Sequence, residues 1–136
     1  MGRVLCIDFG TKRCGIAATD PLQIIVSPVD TVPTDTLLDF LHNYLHTESV
    51  EKIVIGLPVH KDGNFTHIKL DIDVLATQLR LKYPEILIDF ADEQYSSVIA
   101  KQRIIDIGTK MHKRRDKALI DRMSAVVILQ KYLNHI

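Results

Sequence analysis

The chain lacks several features that mark common classes of protein. No apolar run in its 136 residues approaches the roughly 20 residues that a membrane-spanning helix needs, so we expect no membrane segment. The first residues lead directly into a strand pattern without the layout of a signal peptide, which predicts a cytoplasmic protein. Repeats, linkers and low-complexity segments are also missing from the sequence, so we expect a single domain over residues 1–136.

Cysteine is scarce and net charge is zero. Cys6 and Cys14 fall in neighbouring predicted strands of a chain without a secretion signal, which favours free core thiols over a disulfide. Lys plus Arg and Asp plus Glu number 17 each, so the chain as a whole exerts no pull on nucleic acid. Any attraction must be local. Cationic side chains are concentrated between Lys110 and Lys117. The alternative interpretation of this stretch is a solvated loop.

The residues that are present predict a globular fold, because 46% are apolar and 25% are charged. Three short β segments come first, at Arg3 to Phe9, Cys14 to Thr19 and Gln23 to Val32, with turn signals between them. Helical and strand patterns then alternate. They predict a helix through Leu37 to Leu45, a strand at Lys52 to Leu57, a helix through Ile68 to Leu79, a strand at Ile86 to Ala91, and helices at Ser96 to Ile107 and Lys117 to Leu133.

This order of elements predicts an α/β fold. We expect a mixed five-stranded sheet, made of a three-strand meander followed by alternating helices and strands, with helices on both of its faces. The last helix is apolar around most of its circumference, so we expect it to pack on the sheet.

Asp8 stands near the end of an otherwise apolar strand, on the same face as Val4 and Cys6. A buried, ionised carboxylate is costly unless a cation or several hydrogen-bond donors compensate it, and a divalent metal ion is one solution. Capping of the following turn by a bond to Thr11 is the alternative.

Two further acids occupy positions that need an explanation. Glu93 follows the fifth predicted strand, so its carboxylate should project toward the same edge as Asp8, although an acid before a helix is also a common N-terminal charge. Asp121 lies on the sheet-facing stripe of the last helix, where an ordinary ion pair with Arg122 or Lys117 is the alternative.

Together these acids indicate a metal site. Three carboxylates from a first strand, a later strand end and a terminal helix can converge to bind metal ions that activate water against a phosphodiester. Oxygen ligands favour Mg²⁺ or Mn²⁺ over zinc. We therefore hypothesise a nuclease in which Asp8 and Asp121 bind the metal and Glu93 binds it or positions water.

Four segments of the chain resemble motifs of the YqgF family, which is also called RuvX. They are Ile7 to Ala17, Val54 to Gly63, Asp92 to Ser97 and Ile120 to Gln130, so the resemblance spans nearly the whole chain. It implies an RNase H-like fold whose acidic residues correspond to Asp8, Glu93 and Asp121. The implied activity is maturation of the 5′ end of pre-16S ribosomal RNA or, alternatively, resolution of Holliday junctions in DNA.

The chain departs from the family pattern next to one of these acids. Gln94 stands where the family commonly carries Arg, and Tyr95 to Ser97 replaces a Leu-Thr-Thr-like stretch. Losing that Arg removes a permanent cation that could orient Glu93 or contact phosphate, which bears on catalytic strength and substrate preference.

Three segments are candidates for contact with phosphate. The turn after Asp8 is bounded by glycine and offers main-chain amides and two cations, although such a turn can also serve solubility alone. The loop after the fourth strand lies at the edge where α/β proteins place ligands, and the basic stretch can contact a nucleic-acid backbone without reading sequence. The predicted nucleic-acid contacts are Thr11, Lys12, Arg13, His60, Lys61, Lys113, Arg114 and Arg115.

Two other classes of function stay open. Asp8 to Lys12 also resembles the phosphate loop of sugar-kinase or actin-like ATPases, but those proteins close two such domains around a nucleotide. A non-catalytic nucleic-acid or ribosome-assembly module is favoured if Gln94 marks lost activity.

The residues do not discriminate RNA from DNA. A monomer and a homodimer are both compatible with the sequence, since a symmetric junction suits a two-fold dimer and a precursor RNA imposes no symmetry.

Overall fold

The computed structural model describes residues 2–57, 67–93, 96–106 and 117–136. Strands and helices follow one another in the predicted order, with a single 3-10 turn at Thr34–Thr36 before the first helix. The elements are β1 (Arg3–Asp8), β2 (Arg13–Thr19), β3 (Val26–Pro33), α1 (Leu37–Thr47), β4 (Val50–Leu57), α2 (His67–Lys82), β5 (Leu87–Asp92), α3 (Ser96–Asp106) and α4 (Lys117–Tyr132).

The five strands form one mixed sheet with the order β3-β2-β1-β4-β5. β1 to β3 pair antiparallel as the predicted meander, and β4 and β5 extend the sheet parallel to β1. β1 is therefore the central strand. The carboxyl ends of β1, β4 and β5 lie at the same edge of the sheet, which is where parallel strands usually place a ligand.

Alternate residues of β1 enter two different cores, as the two-residue period of a strand requires. Leu5 and Ile7 pack in the core that α1 and α2 cover, whereas Val4 and Cys6 pack in the core beneath α4. The predicted placement of helices on both faces is thereby confirmed. α4 is buried without interruption from Ser124 to Leu129, so the face that carries Asp8 is the face that α4 covers.

The third strand begins later than predicted, because residues 20–25 form a turn held by one aspartate. The Asp20 carboxylate accepts hydrogen bonds from the main-chain amides of Leu22, Ile24 and Ile25. Gln23 has a φ of 60°, which a strand does not allow. The prediction of strand at Gln23 to Ile25 was wrong, since these local bonds replace those of the sheet.

The remaining strand boundaries lie within two residues of the predicted ones. Cys6 and Cys14 are both buried and free, as predicted. In the described ranges, no helix is long and apolar enough to cross a membrane.

Candidate active site

The carboxylate of Asp8 lies at the carboxyl end of the central strand, on the face beneath α4. Directly opposite it in the sheet is Gly15 of β2. A Cβ atom at Gly15 would overlap the main-chain oxygen of Asp121, so only glycine allows α4 to approach β2 here. This close approach places Asp121 beside Asp8, which joins two acids that are distant in sequence.

Glu93 approaches Asp8 across β4, whereas Asp121 approaches it over β2. It follows Ala91 by two residues, so both share the face of β5 that lies beneath α4. Gly56 is the register partner of Ala91 in the intervening strand. A Cβ atom there would lie 3.1 Å from Oε2 of Glu93 and 3.0 Å from Cδ1 of Ile128. The glycine therefore leaves the space through which the Glu93 side chain reaches toward Asp8.

Asp8 and Glu93 form a hydrogen-bonded pair of carboxyl groups. Burial, the nearby negative charge of Glu93, the hydrogen bond with Glu93 and the charge of Asp121 all raise the pKa of Asp8 well above its ordinary value. Two partly buried carboxyl groups that share a hydrogen bond cannot both be ionised without compensation, so the pair needs a shared proton or a cation.

Asp121 is close enough to Asp8 to act on it electrostatically, but its own carboxylate is engaged elsewhere. Nε of Arg13, at the start of β2, donates to Oδ2 of Asp121 at 2.5 Å. The partner is thus Arg13 and not Arg122 or Lys117, the two alternatives from the sequence. Arg122 instead donates to Oγ1 of Thr31 at 3.3 Å.

A divalent cation suits the donor set of this site, although the three acids are not arranged as a finished metal cage. Among the described residues, no group of three His, Cys, Asp or Glu side chains stands ready to hold a metal ion. Asp8 and Glu93 offer hard oxygen ligands at one point, and their like charges favour a cation there. Asp121 would complete the set once it is released from Arg13.

A polar cavity of about 250 Å³ opens beside Asp121. It brings together the predicted phosphate contacts of the turn after Asp8 with Lys117, the first residue of α4. Its lining residues are Gly10, Thr11, Lys12, Arg13, Lys117 and Asp121.

The other predicted contacts, His60, Lys61, Lys113, Arg114 and Arg115, lie outside the described residues, as does Gln94. Sequence reasoning assigned no positioning role to Gly15 or Gly56, although Gly56 begins the loop expected to contact substrate, and it considered Lys117 only in the basic stretch and as a possible ion-pair partner of Asp121. A glycine inside or at the end of an apolar strand is the signal that could have found the first two, because it often marks a close approach of another chain segment.

The model of a known protein family, RuvX, with the description Holliday junction resolvase, matches residues 2–135. The chain belongs to the RuvX family. The resemblance seen in its four motifs is thereby confirmed, and the mixed sheet with helices on both faces agrees with the RNase H-like fold of that family.

Relatives of this RuvX-family chain carry a nuclease name. The protein of Porphyromonas gingivalis is 47% identical over 135 residues, which is 99% of this chain and 98% of the relative. That of Phocaeicola vulgatus is 45% identical over 133 residues, or 98% and 96% of the two chains. Each is named "Putative pre-16S rRNA nuclease". Among solved structures, YeaZ from Pseudomonas aeruginosa matches with a TM-score of 0.44 and 18% identity, covering 79% of this chain and 50% of YeaZ.

Proposed function

We propose that this RuvX-family protein is a metal-dependent nuclease that hydrolyses phosphodiester bonds of nucleic acid at Asp8, Glu93 and Asp121. One observation carries the proposal: Asp8 and Glu93 form a partly buried, hydrogen-bonded carboxyl pair at the carboxyl edge of the parallel strands, within electrostatic reach of Asp121. Maintaining such a pair in a fold is costly, and a role in binding a cation explains its presence.

The positions of the side chains support a division of roles among them. Asp8, on β1, and Asp121, on the helix that covers the same face of the sheet, would bind the cation between them, and Glu93 would bind it or orient the attacking water. A bound Mg²⁺ or Mn²⁺ supplies the positive charge that activates water and stabilises the leaving oxygen. Thr11, Lys12 and Arg13 would contact the phosphate backbone beside these acids.

The substrate we favour is the 5′ region of pre-16S ribosomal RNA, because the similar proteins are named for that precursor. A four-way DNA junction is the second candidate, favoured by the description of the family. In either case we place the whole chain, residues 1–136, in one cytoplasmic nuclease domain. The precursor would need only a monomer, whereas a symmetric junction would favour a homodimer.

The test is a cleavage assay with the purified chain. A 5′-extended 16S precursor and a four-way DNA junction are each incubated with Mg²⁺, Mn²⁺ or EDTA. We expect cleavage of the precursor that depends on the metal and is lost in Asp8→Asn, while nucleic-acid binding by that variant persists. Binding without cleavage by the wild type under any metal would contradict the proposal in favour of a non-catalytic module. ATP binding without nuclease activity would favour the ATPase class.

A further inference from the structure

The ion pair of Arg13 and Asp121 occupies two side chains that the proposed reaction would use separately. Arg13, the first residue of β2, is one of the proposed phosphate contacts, and Asp121 is one of the three proposed metal-binding acids. The pair is half-exposed, with 36% and 27% of the two side chains accessible, so an entering ligand can reach it. Within the protein as described here, Arg13 therefore neutralises the acid that would complete the metal site.

The cavity beside this ion pair has the charge and the size for a phosphate group. Three cations, Lys12, Arg13 and Lys117, line it together with a single acid. Its volume of about 250 Å³ is several times the roughly 30 Å³ that one water molecule occupies in the liquid.

Residues 10–13 form one wall of the cavity, and Thr34 holds that wall in place. Oγ1 of Thr34 donates to the Gly10 carbonyl at 2.7 Å, and its main-chain amide donates to the Lys12 carbonyl at 3.0 Å. Two carbonyl oxygens that would repel an anion are thus already engaged by a neighbouring residue. The turn needs no rearrangement of these bonds to accept phosphate.

We propose that this cavity, the phosphate pocket (residues 10–13, Lys117 and Asp121), binds a backbone phosphate of the substrate. We further propose that Arg13 then transfers its hydrogen bond from Asp121 to the phosphate, which releases Asp121 to the divalent cation. The proposal rests on the nuclease function proposed above. It adds to that function a step in which phosphate binding releases Asp121. Phosphate and metal ion bind cooperatively, because each favours the state in which Arg13 and Asp121 are apart.

Cooperative binding of this kind must be reciprocal. Phosphate in the pocket raises the affinity for the metal ion by some factor, and the metal ion raises the affinity for phosphate by the same factor. A typical coupling between two sites changes affinity by about 5- to 150-fold, and we expect about fivefold here, at the lower end, because one exposed ion pair is exchanged.

The test measures Mn²⁺ binding by electron paramagnetic resonance of free Mn²⁺, with and without adenosine 3′,5′-bisphosphate as the probe. A titration without protein corrects for Mn²⁺ bound by the probe itself. Wild type should bind Mn²⁺ about fivefold more tightly when the probe is present. Arg13→Gln should bind Mn²⁺ more tightly than wild type without the probe and should gain nothing from it. Lys117→Gln should weaken probe binding.

Arg122→Gln is the matched control, since Arg122 is on the same helix as Asp121 but donates to Thr31. It should keep the wild-type coupling. The inference is overturned if Arg13→Gln weakens Mn²⁺ binding in the absence of the probe, or if it retains the full coupling. Failure of the proposed function has a different signature, in which wild type and Asp8→Asn bind Mn²⁺ equally and neither cleaves nucleic acid.

Discussion

Gly56 and Glu93 are in contact beneath the last helix, with 3.1 Å between Oε2 of Glu93 and the point where a Cβ atom on Gly56 would lie. β4 separates the two strands that carry Asp8 and Glu93. The residue between them has no side chain, so the carboxyl groups meet without being displaced. Gly56 is thus a positioning residue for the carboxyl pair.

A methyl group at this position should impair the site more than the fold. We expect Gly56→Ala to displace the Glu93 carboxylate by a few tenths of an ångström and to lower the cleavage rate about 10-fold or more, because misplacement of a reacting group is costly. The free energy of unfolding should change by about 1 kcal/mol or less, since the flexible end of Ile128 can move away. Cleavage kinetics and urea unfolding measure the two effects.

A second variant separates the two contacts of that methyl group. Ile128→Val removes the methyl nearest to Gly56 on α4, so the double variant Gly56→Ala/Ile128→Val should recover space at α4 and stay slow in cleavage. If the double variant cleaves at the rate of Ile128→Val alone, the contact with Glu93 does not position the acid.

The order of elements could be read from the sequence, and the location of the site could be read only in part. Strand and helix periods are local properties, and they predicted the sheet and the two helix-covered faces. The turn at Asp20 was missed because the apolar residues Leu22, Ile24 and Ile25 follow a strand-like pattern, while three hydrogen bonds to one carboxylate decide the conformation.

The pairing of Arg13 with Asp121 could not be predicted from the sequence either. These residues are 108 positions apart, and the alternatives within one turn of Asp121 were equally charged. The contact depends on α4 approaching β2 at Gly15, which is a property of packing between two elements. Local patterns therefore predicted a site at three acids, but they could not predict which of the acids pairs with a cation of the protein itself.

Asp8→Asn should stabilise the protein at neutral pH in the absence of metal. The pKa of Asp8 is raised in the folded protein, chiefly by burial and then by Glu93, so the folded state binds its proton more tightly than the unfolded state does. Stability from this group is therefore present at low pH and is lost as pH rises above the ordinary pKa of an aspartate. Asparagine does not carry the charge, so we expect the free energy of unfolding at pH 7 to be higher in Asp8→Asn than in wild type.

Urea unfolding in EDTA at several values between pH 5 and pH 8 checks this prediction. The gain of Asp8→Asn over wild type should be largest at the highest pH and should shrink as the pH falls. A gain that grows toward low pH, or a loss of stability at pH 8, would show that Asp8 is not held in its protonated form by its surroundings.

Tyr132→Phe should lower stability without affecting catalysis. The Tyr132 hydroxyl donates to Oδ2 of Asp89 at 2.5 Å and accepts from Nζ of Lys52 at 3.1 Å, which ties the end of α4 to β4 and β5. Removing the hydroxyl should cost about 1 kcal/mol, the usual value for a partly exposed hydrogen bond. The thermal unfolding midpoint should fall by a few degrees while the cleavage rate stays within twofold. A rate that falls with stability intact would place Tyr132 in the site.

Gly15→Ala should be the most damaging single substitution on β2. Its methyl group would overlap the main chain of α4 at Asp121, which cannot move without shifting the whole helix. We expect a loss of about 3 kcal/mol or more, with aggregation on expression at 37 °C. Ala17→Gly on the same strand is the comparison and should cost only about 1 kcal/mol. Equal stability of Gly15→Ala and wild type would mean that α4 does not lie against β2 as described.

The rate of magnesium-dependent cleavage by Glu93→Gln, set against that of Asp92→Asn, is the most direct test of the proposed site. Asp92 is the neighbouring acid on the opposite, exposed side of β5, so it matches Glu93 in charge and position along the chain. Loss of even an outer partner of a metal site costs about 10- to 100-fold, so Glu93→Gln should lose at least about 100-fold while Asp92→Asn stays near wild type. Equal rates for the two variants would contradict the assignment of Glu93 to the reaction.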